Sequence, residues 1–162
     1  MSALLRFVRS ATAGQVVLAV SGEVDMSSAH LLDTQLSLAQ RCAGVVRAEP
    51  GYRAPERCRA PAERTVAVRE PAVSVRAAPE LSDHDPQAAV VLDLTGVRFL
   101  SAVGVDVIAN AAFRARETQV PLIVVAPVDG PAHRTIMLAG LENAIPSHPT
   151  VDAALRSVGQ SP

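Results

Sequence analysis

Two continuous apolar runs, "AAVVLDL" (88–94) and "VPLIVVAP" (120–127), bracket a stretch of helical periodicity, and no other feature constrains the chain as much. Branched apolar residues without polar alternation suit strands buried on both faces. Between the runs, Val105, Ile108, Ala109, Ala112 and Phe113 recur at the spacing of one helix face. That predicts an amphipathic helix packing this stripe on a sheet, and strand–helix–strand is a parallel unit with a helical crossover. The flanking segments extend the pattern. "ALLRFVR" (3–9) and "QVVLAVS" (15–21), separated by a turn containing Gly14, predict a hairpin. "GEVDMSSAH" offers Asp25, Ser27 and Ser28 as caps for a helix that carries Ala29, Leu32, Leu36 and Ala39 on one face and runs to about Gln40. Pro131 and Gly140 bound a third helix, "NAIPSH" reads as a short edge segment, and Val151, Ala154, Leu155 and Val158 mark a last helix. The expectation is one α/β domain: a mixed, mostly parallel sheet of four to five strands with about four helices.

Composition shifts abruptly at residue 42. Residues 41–76 hold eight of the fifteen Arg, interleaved with Glu49, Glu56, Glu63 and Glu70 and broken by frequent Pro. Few large apolar groups are available there to offset chain entropy. The reading is a discontinuous domain, 1–41 and 88–162, carrying a largely irregular, mobile insertion at 42–87. A β-rich piece around "RTVAVREPAVSVR" is the part able to order locally. A formal charge of −1, three Phe, one Tyr and no Trp argue against a general nucleic-acid or anionic-membrane surface. The Arg-rich insertion has interleaved Glu and only Tyr52 for stacking, which makes it a solvated polyampholyte. No run approaches the ~20 apolar residues needed to span a bilayer, so a soluble cytoplasmic protein is expected, without membrane insertion or direct nucleic-acid contact.

The segment "DLTGVRFLSAVGV" (93–105) reads as a buried strand end, a polar corner and a helix start, with one hydroxyl, Ser101. A nucleophile elbow needs Gly two residues to either side of the Ser, where this chain has Phe99 and Val103. His30, His84, His133 and His148 form no ligand-spaced cluster, and neither a P-loop nor a dinucleotide fingerprint is present. Catalysis, a metal and a cofactor are therefore not expected. Ser101 suits a helix cap, a bond worth ~1 kcal/mol. Gly104 permits close approach of a neighbouring or partner backbone. Asp93 is read as fixing the following turn through backbone N–H groups.

In order, "VVLAVSGEVDMSSAHLLDTQL", "VVLDLTGVRFLSAVGVDVIANAAFRARETQVPLIVVAP" and "TIMLAGLENAIPSHPTVDAAL" resemble a STAS domain, over about residues 3–41 and 88–158. The chain is most similar to the bacterial anti-sigma factor antagonists of that family. The resemblance implies a non-enzymatic regulator that docks the corner and the following helix, residues 95–117, on an anti-sigma factor. That partner is usually a serine kinase with a histidine-kinase-like ATPase fold, and docking releases the sigma factor. The implied contact set is Asp25, Thr95, Ser101, Ala102, Val103, Gly104 and Val105. Asp25 matches the acidic position of the family's G-E-x-D segment and serves equally as a helix cap. In the family a kinase phosphorylates a Ser in an Asp-Ser-Ser-Gly corner, adding roughly −1.5 to −2 charge at a helix N-terminus.

Aligning Gly104 with the family glycine puts Ala102, which has no hydroxyl, at the acceptor position. Three accounts follow. The protein is permanently binding-competent; or Ser101 is a displaced acceptor; or regulation acts elsewhere, with the insertion as the obvious place. The first is favoured, because moving a hydroxyl back one residue turns it by roughly 100° and phosphoryl transfer depends on in-line positioning. For the third, Cys42 and Cys58 enclose residues 43–57, and a bridge closing such a loop would contribute ~3 kcal/mol. Two reduced thiols are the simpler state in a cytosol. The runner-up function is a STAS accessory subunit of a membrane transport complex, or a small-ligand-sensing STAS domain.

Overall fold

Along Gln15–Val24 the residues Val16, Leu18, Val20 and Val24 are all buried on one side of an extended chain, and the fold grows outward from that strand. The computed structural model describes residues 5–12, 15–48, 73–75 and 88–158. In chain order the elements are β1 (Arg6–Thr12), β2 (Gln15–Val24), α1 (Ala29–Ala48), β3 (Val73–Val75), β4 (Val90–Leu100), α2 (Ala102–Thr118), β5 (Leu122–Val125), α3 (Pro131–Leu138), β6 (Ser147–His148) and α4 (Val151–Val158). The strands form one sheet in the order β3-β1-β2-β4-β5-β6. β1 and β2 pair antiparallel as the expected hairpin, and every other pairing is parallel. The expected turn residue Gly14 lies outside the described residues. A mixed, mostly parallel sheet with four helices matches the expectation. The strand beyond the expected four to five is β3, which comes from the β-rich piece of the insertion.

The two faces of the sheet are covered unequally. Period-two alternation sends Phe7, Leu18, Leu92 and Val124 to one side, where they meet Leu32 and Leu36 of α1, Ile108 of α2 and Ile136 of α3. The opposite residues Val17, Ala89, Val91, Ile123 and Val125 meet Ala154 and Val158 of α4. Leu18, Leu32, Leu36, Leu92 and Ile108 are fully buried, each worth about 1.5–3 kcal/mol relative to exposure. The stripe Ala29, Leu32, Leu36 and Ala39 is inside, as its spacing demanded.

Three expectations are corrected. α1 does not stop near Gln40 but continues to Ala48, because Cys42 and Ala43 extend its buried stripe into the core. β4 does not end near Asp93. It continues to Leu100 because Ser21–Val24 of β2 go on pairing with Gly96, Val97, Phe99 and Leu100, across two register shifts. Gly22, with φ of 110°, supplies at the second shift a backbone conformation that L side chains rarely adopt. Phe113, expected in the core stripe of α2, is 62% exposed; the inward residues are Gly104, Val105, Ile108, Ala111 and Ala115. The helix is rotated so that these residues are inside, and at Ala111 it meets α1, where the Gln40 amide donates to the Ala111 carbonyl at 2.7 Å. The Arg114 guanidinium closes the same seam, 2.8 Å from the Asp33 carboxylate.

Candidate functional site

The long β4 ends at Leu100, and the chain turns into α2 within one residue. Ser101 takes an extended backbone, φ −75° and ψ 165°, and its Oγ accepts from the Gly104 N–H at 3.2 Å. The Ser101 N–H donates to the Val24 carbonyl at 2.8 Å, so the end of β2 is tied to the start of α2. Ser101 is therefore the cap that its residue type predicted.

On the other side of Val24, Asp25 builds a second cap. Its Oδ1 accepts from the Ser27 hydroxyl at 2.7 Å, the Ser28 hydroxyl at 2.8 Å, and the two N–H groups at 3.0 and 2.9 Å. The Asp25 N–H donates back to the Ser28 hydroxyl oxygen at 3.0 Å, a reciprocal arrangement that fixes the entry to α1. The Ser27 hydroxyl, then the Ser28 hydroxyl, holds the exposed Asp25 carboxyl below the usual carboxylate range. Every contact of the Asp25 carboxylate given by this geometry is local to the cap.

Ala102 and Val103, the first two residues of α2, are exposed, Val103 at 38%. Gly104 and Val105 face inward and support the tip from behind. A Cβ on Gly104 would stand 2.6 Å from Leu100 Cδ1 and 2.9 Å from Val24 Cγ1, so the close approach this glycine permits is internal. Thr95 does not join the tip. From Thr95 to Ser101 is about 20 Å of strand at ~3.3 Å per residue. There the Thr95 N–H donates to Asp93 Oδ1 at 2.9 Å, so Asp93 does bond a backbone N–H just beyond it, within a strand rather than at its end.

Two exposed apolar residues that adjoin these caps along the chain were not singled out by sequence. Met26 is 79% exposed beside Asp25, and Phe99 is 50% exposed one residue before Leu100. Their signal was large apolar side chains flanking a polar corner. At the start of α2 itself, Ala102 and Val103 carry no charge, and the exposed Asp25 carboxylate belongs to the neighbouring cap. Cys42 is buried in α1, and its expected partner Cys58 lies outside the described residues. At the far end of α2, Ala115, Arg116, Gln119, Leu122 and Asn143 line a cleft of about 610 Å³.

Three parallel pairings, β2 with β4, β4 with β5 and β5 with β6, are joined by helical crossovers, and the one through α2 starts at the Ser101 cap with Ala102 and Val103 exposed. The chain matches the STAS domain family over residues 7–154 and belongs to that family. Comparison with curated proteins gave no match. Among solved structures, it is similar to an anti-sigma factor antagonist of Mycobacterium paratuberculosis, with a TM-score of 0.57 and 24% identity over 96% of this chain and 95% of that one. It is also similar to a proposed anti-sigma factor antagonist of Thermotoga maritima, with a TM-score of 0.61 and 13% identity over 95% of both chains. An NMR structure of the same Thermotoga protein gives a TM-score of 0.58 at 12% identity, over 94% of this chain and 88% of that one. At these identities the likeness is one of fold. Among the described residues no helix is long and apolar enough to cross a membrane.

Proposed function

We propose that this protein is a non-enzymatic, cytoplasmic anti-sigma factor antagonist. It binds an anti-sigma factor of the serine-kinase type, with a histidine-kinase-like ATPase fold, and so frees a sigma factor. The tip of α2, with Ala102 and Val103 at its centre, is the contact; Asp25 and Ser101 hold the caps on either side of Val24. The observation that carries this reading is that Ala102 is exposed at the helix start. A methyl group stands where a phosphate would otherwise switch the contact off, so the surface is constitutively competent. Ser101 is a poor substitute acceptor, because its hydroxyl oxygen already receives the Gly104 N–H.

The test is capture of the anti-sigma factor from the native cytosol by wild type and by Ala102→Asp. An acidic residue in the first turn favours the helix, by about 0.3–1 kcal/mol. Loss of capture is then a loss of interface and not of fold. Strong reduction with Ala102→Asp is expected, through desolvation and repulsion at the buried contact. Equal capture by both proteins rejects the tip as the interface. Incubation with the captured kinase and ATP is expected to leave the wild type unmodified, and a Ser101 phosphopeptide contradicts that. The cleft at the far end of α2 favours a second reading, a small-ligand-sensing or transport-accessory STAS domain. Recovery of transporter subunits in the same capture supports it.

A further inference from the structure

The outer edge of the sheet is occupied by the chain's own inserted segment. β3 lies parallel to β1, with Phe7, Val8 and Arg9 opposite Val73, Ser74 and Val75. On its other side β1 is paired with β2 along its whole length, from Arg6 opposite Ser21 to Thr12 opposite Gln15. β1 is also anchored from below, since Phe7 is fully buried and Leu5 nearly so. β1 is therefore held in place without β3. An edge strand held this way presents a row of backbone N–H and C=O groups, which is a template for another extended chain.

We propose that the outer edge of β1 is a strand-acceptor site for an extended peptide, filled in cis by Val73–Val75. A three-residue parallel ladder makes few hydrogen bonds, and each is nearly balanced by the bonds to water that it replaces. Tethering keeps such a short strand in place. Residues 49–72 lie between β3 and the end of α1, and residues 76–87 lie before the residues leading into β4. Covalent connection to the rest of the chain on both sides makes this pairing intramolecular, which raises the effective concentration of residues 73–75 at the edge. The occupant is an extended segment with the Val-Ser-Val pattern of residues 73–75, running parallel to β1. A copy of it from outside competes only when the cis strand is weakened. The site is independent of the helix tip, so it stands or falls separately from the anti-sigma reading.

Two single variants in the full chain test this, Val73→Pro and Ser74→Pro. Successive N–H groups of a strand point to opposite edges, so one of the two variants removes a donor aimed at β1. Hydrogen exchange is measured on the β1 amides, with the β2 and β4 amides as the control for global folding. A labelled peptide of residues 69–79, REPAVSVRAAP, is the probe. In at least one variant the β1 amides that face β3 should exchange roughly tenfold faster or more. The core amides should be unchanged, and the peptide should bind and restore protection while leaving wild type unlabelled. Unchanged β1 exchange in both variants, or faster exchange without peptide binding, overturns the proposal.

Discussion

Replacing Gly104 with Ala sets two opposing effects against each other at one buried methyl group. In a helix interior, Ala is favoured over Gly by about 1 kcal/mol. Here, however, the new Cβ would stand 2.6 Å from Leu100 Cδ1 and 2.9 Å from Val24 Cγ1, where apolar contacts settle near 3.5–4.0 Å. Each neighbour must withdraw by about an ångström. Leu100 and Val24 are 3% and 0% exposed, so neither can swing into solvent. Val24 is moreover stiff at χ1, and its carbonyl is held by the Ser101 N–H. Overpacking of this kind costs about 1–3 kcal/mol, which exceeds the propensity gain. The expected outcome is a net loss of about 1 kcal/mol, a fall of about 2–4 °C in Tm. Urea and thermal denaturation measure it. Combining Gly104→Ala with Leu100→Val, which trims the nearer neighbour, should recover part of the loss as a coupling of about 0.5 kcal/mol or more. A Gly104→Ala protein as stable as wild type, or more so, refutes the claim that this glycine exists for internal packing. The helix tip would then have room that the distances deny.

Ser101→Ala removes the α2 cap and should cost about 1 kcal/mol in urea denaturation, with no change in the sheet's far-ultraviolet signal. Phe7→Ala should cost about 3–5 kcal/mol, because the ring is fully buried, whereas Phe113→Ala should stay within about 0.5 kcal/mol. Comparable losses for the two would show that α2 is rotated from the orientation described. The Asp25 carboxyl titrates lower in the folded protein than in the unfolded chain. Its stabilising share is thus fully present above the unfolded value near 3.8 and is lost as pH falls through the folded one. The stability gap between wild type and Asp25→Asn should therefore narrow on acidification through that window, and carbon NMR titration of Asp25 should report the lowered midpoint.

Much of the fold was legible because burial imposes a period. The stripe of α1, the hairpin, the central runs at 88–94 and 120–127 and the last helix follow from which residues must leave water together. Ser101 and Asp25 as caps were legible too, since capping is a contest decided within four residues. The rotation of α2 was not. Its apolar residues span enough of the circumference to admit more than one inward face. The choice fell to α1, where Gln40 and Asp33 meet Ala111 and Arg114. That choice turned Phe113 outward.

The sequence by itself determined the order of elements, the two caps and the missing hydroxyl at residue 102, because each is set by local periodicity or by the chemistry of a single side chain. Only the tertiary structure decided that β4 runs on to Leu100, that Thr95 stands far from the helix tip and that Phe113 faces outward. A strand ends where its neighbour ceases to offer hydrogen bonds, and the neighbour of β4 is β2, some seventy residues earlier in the chain.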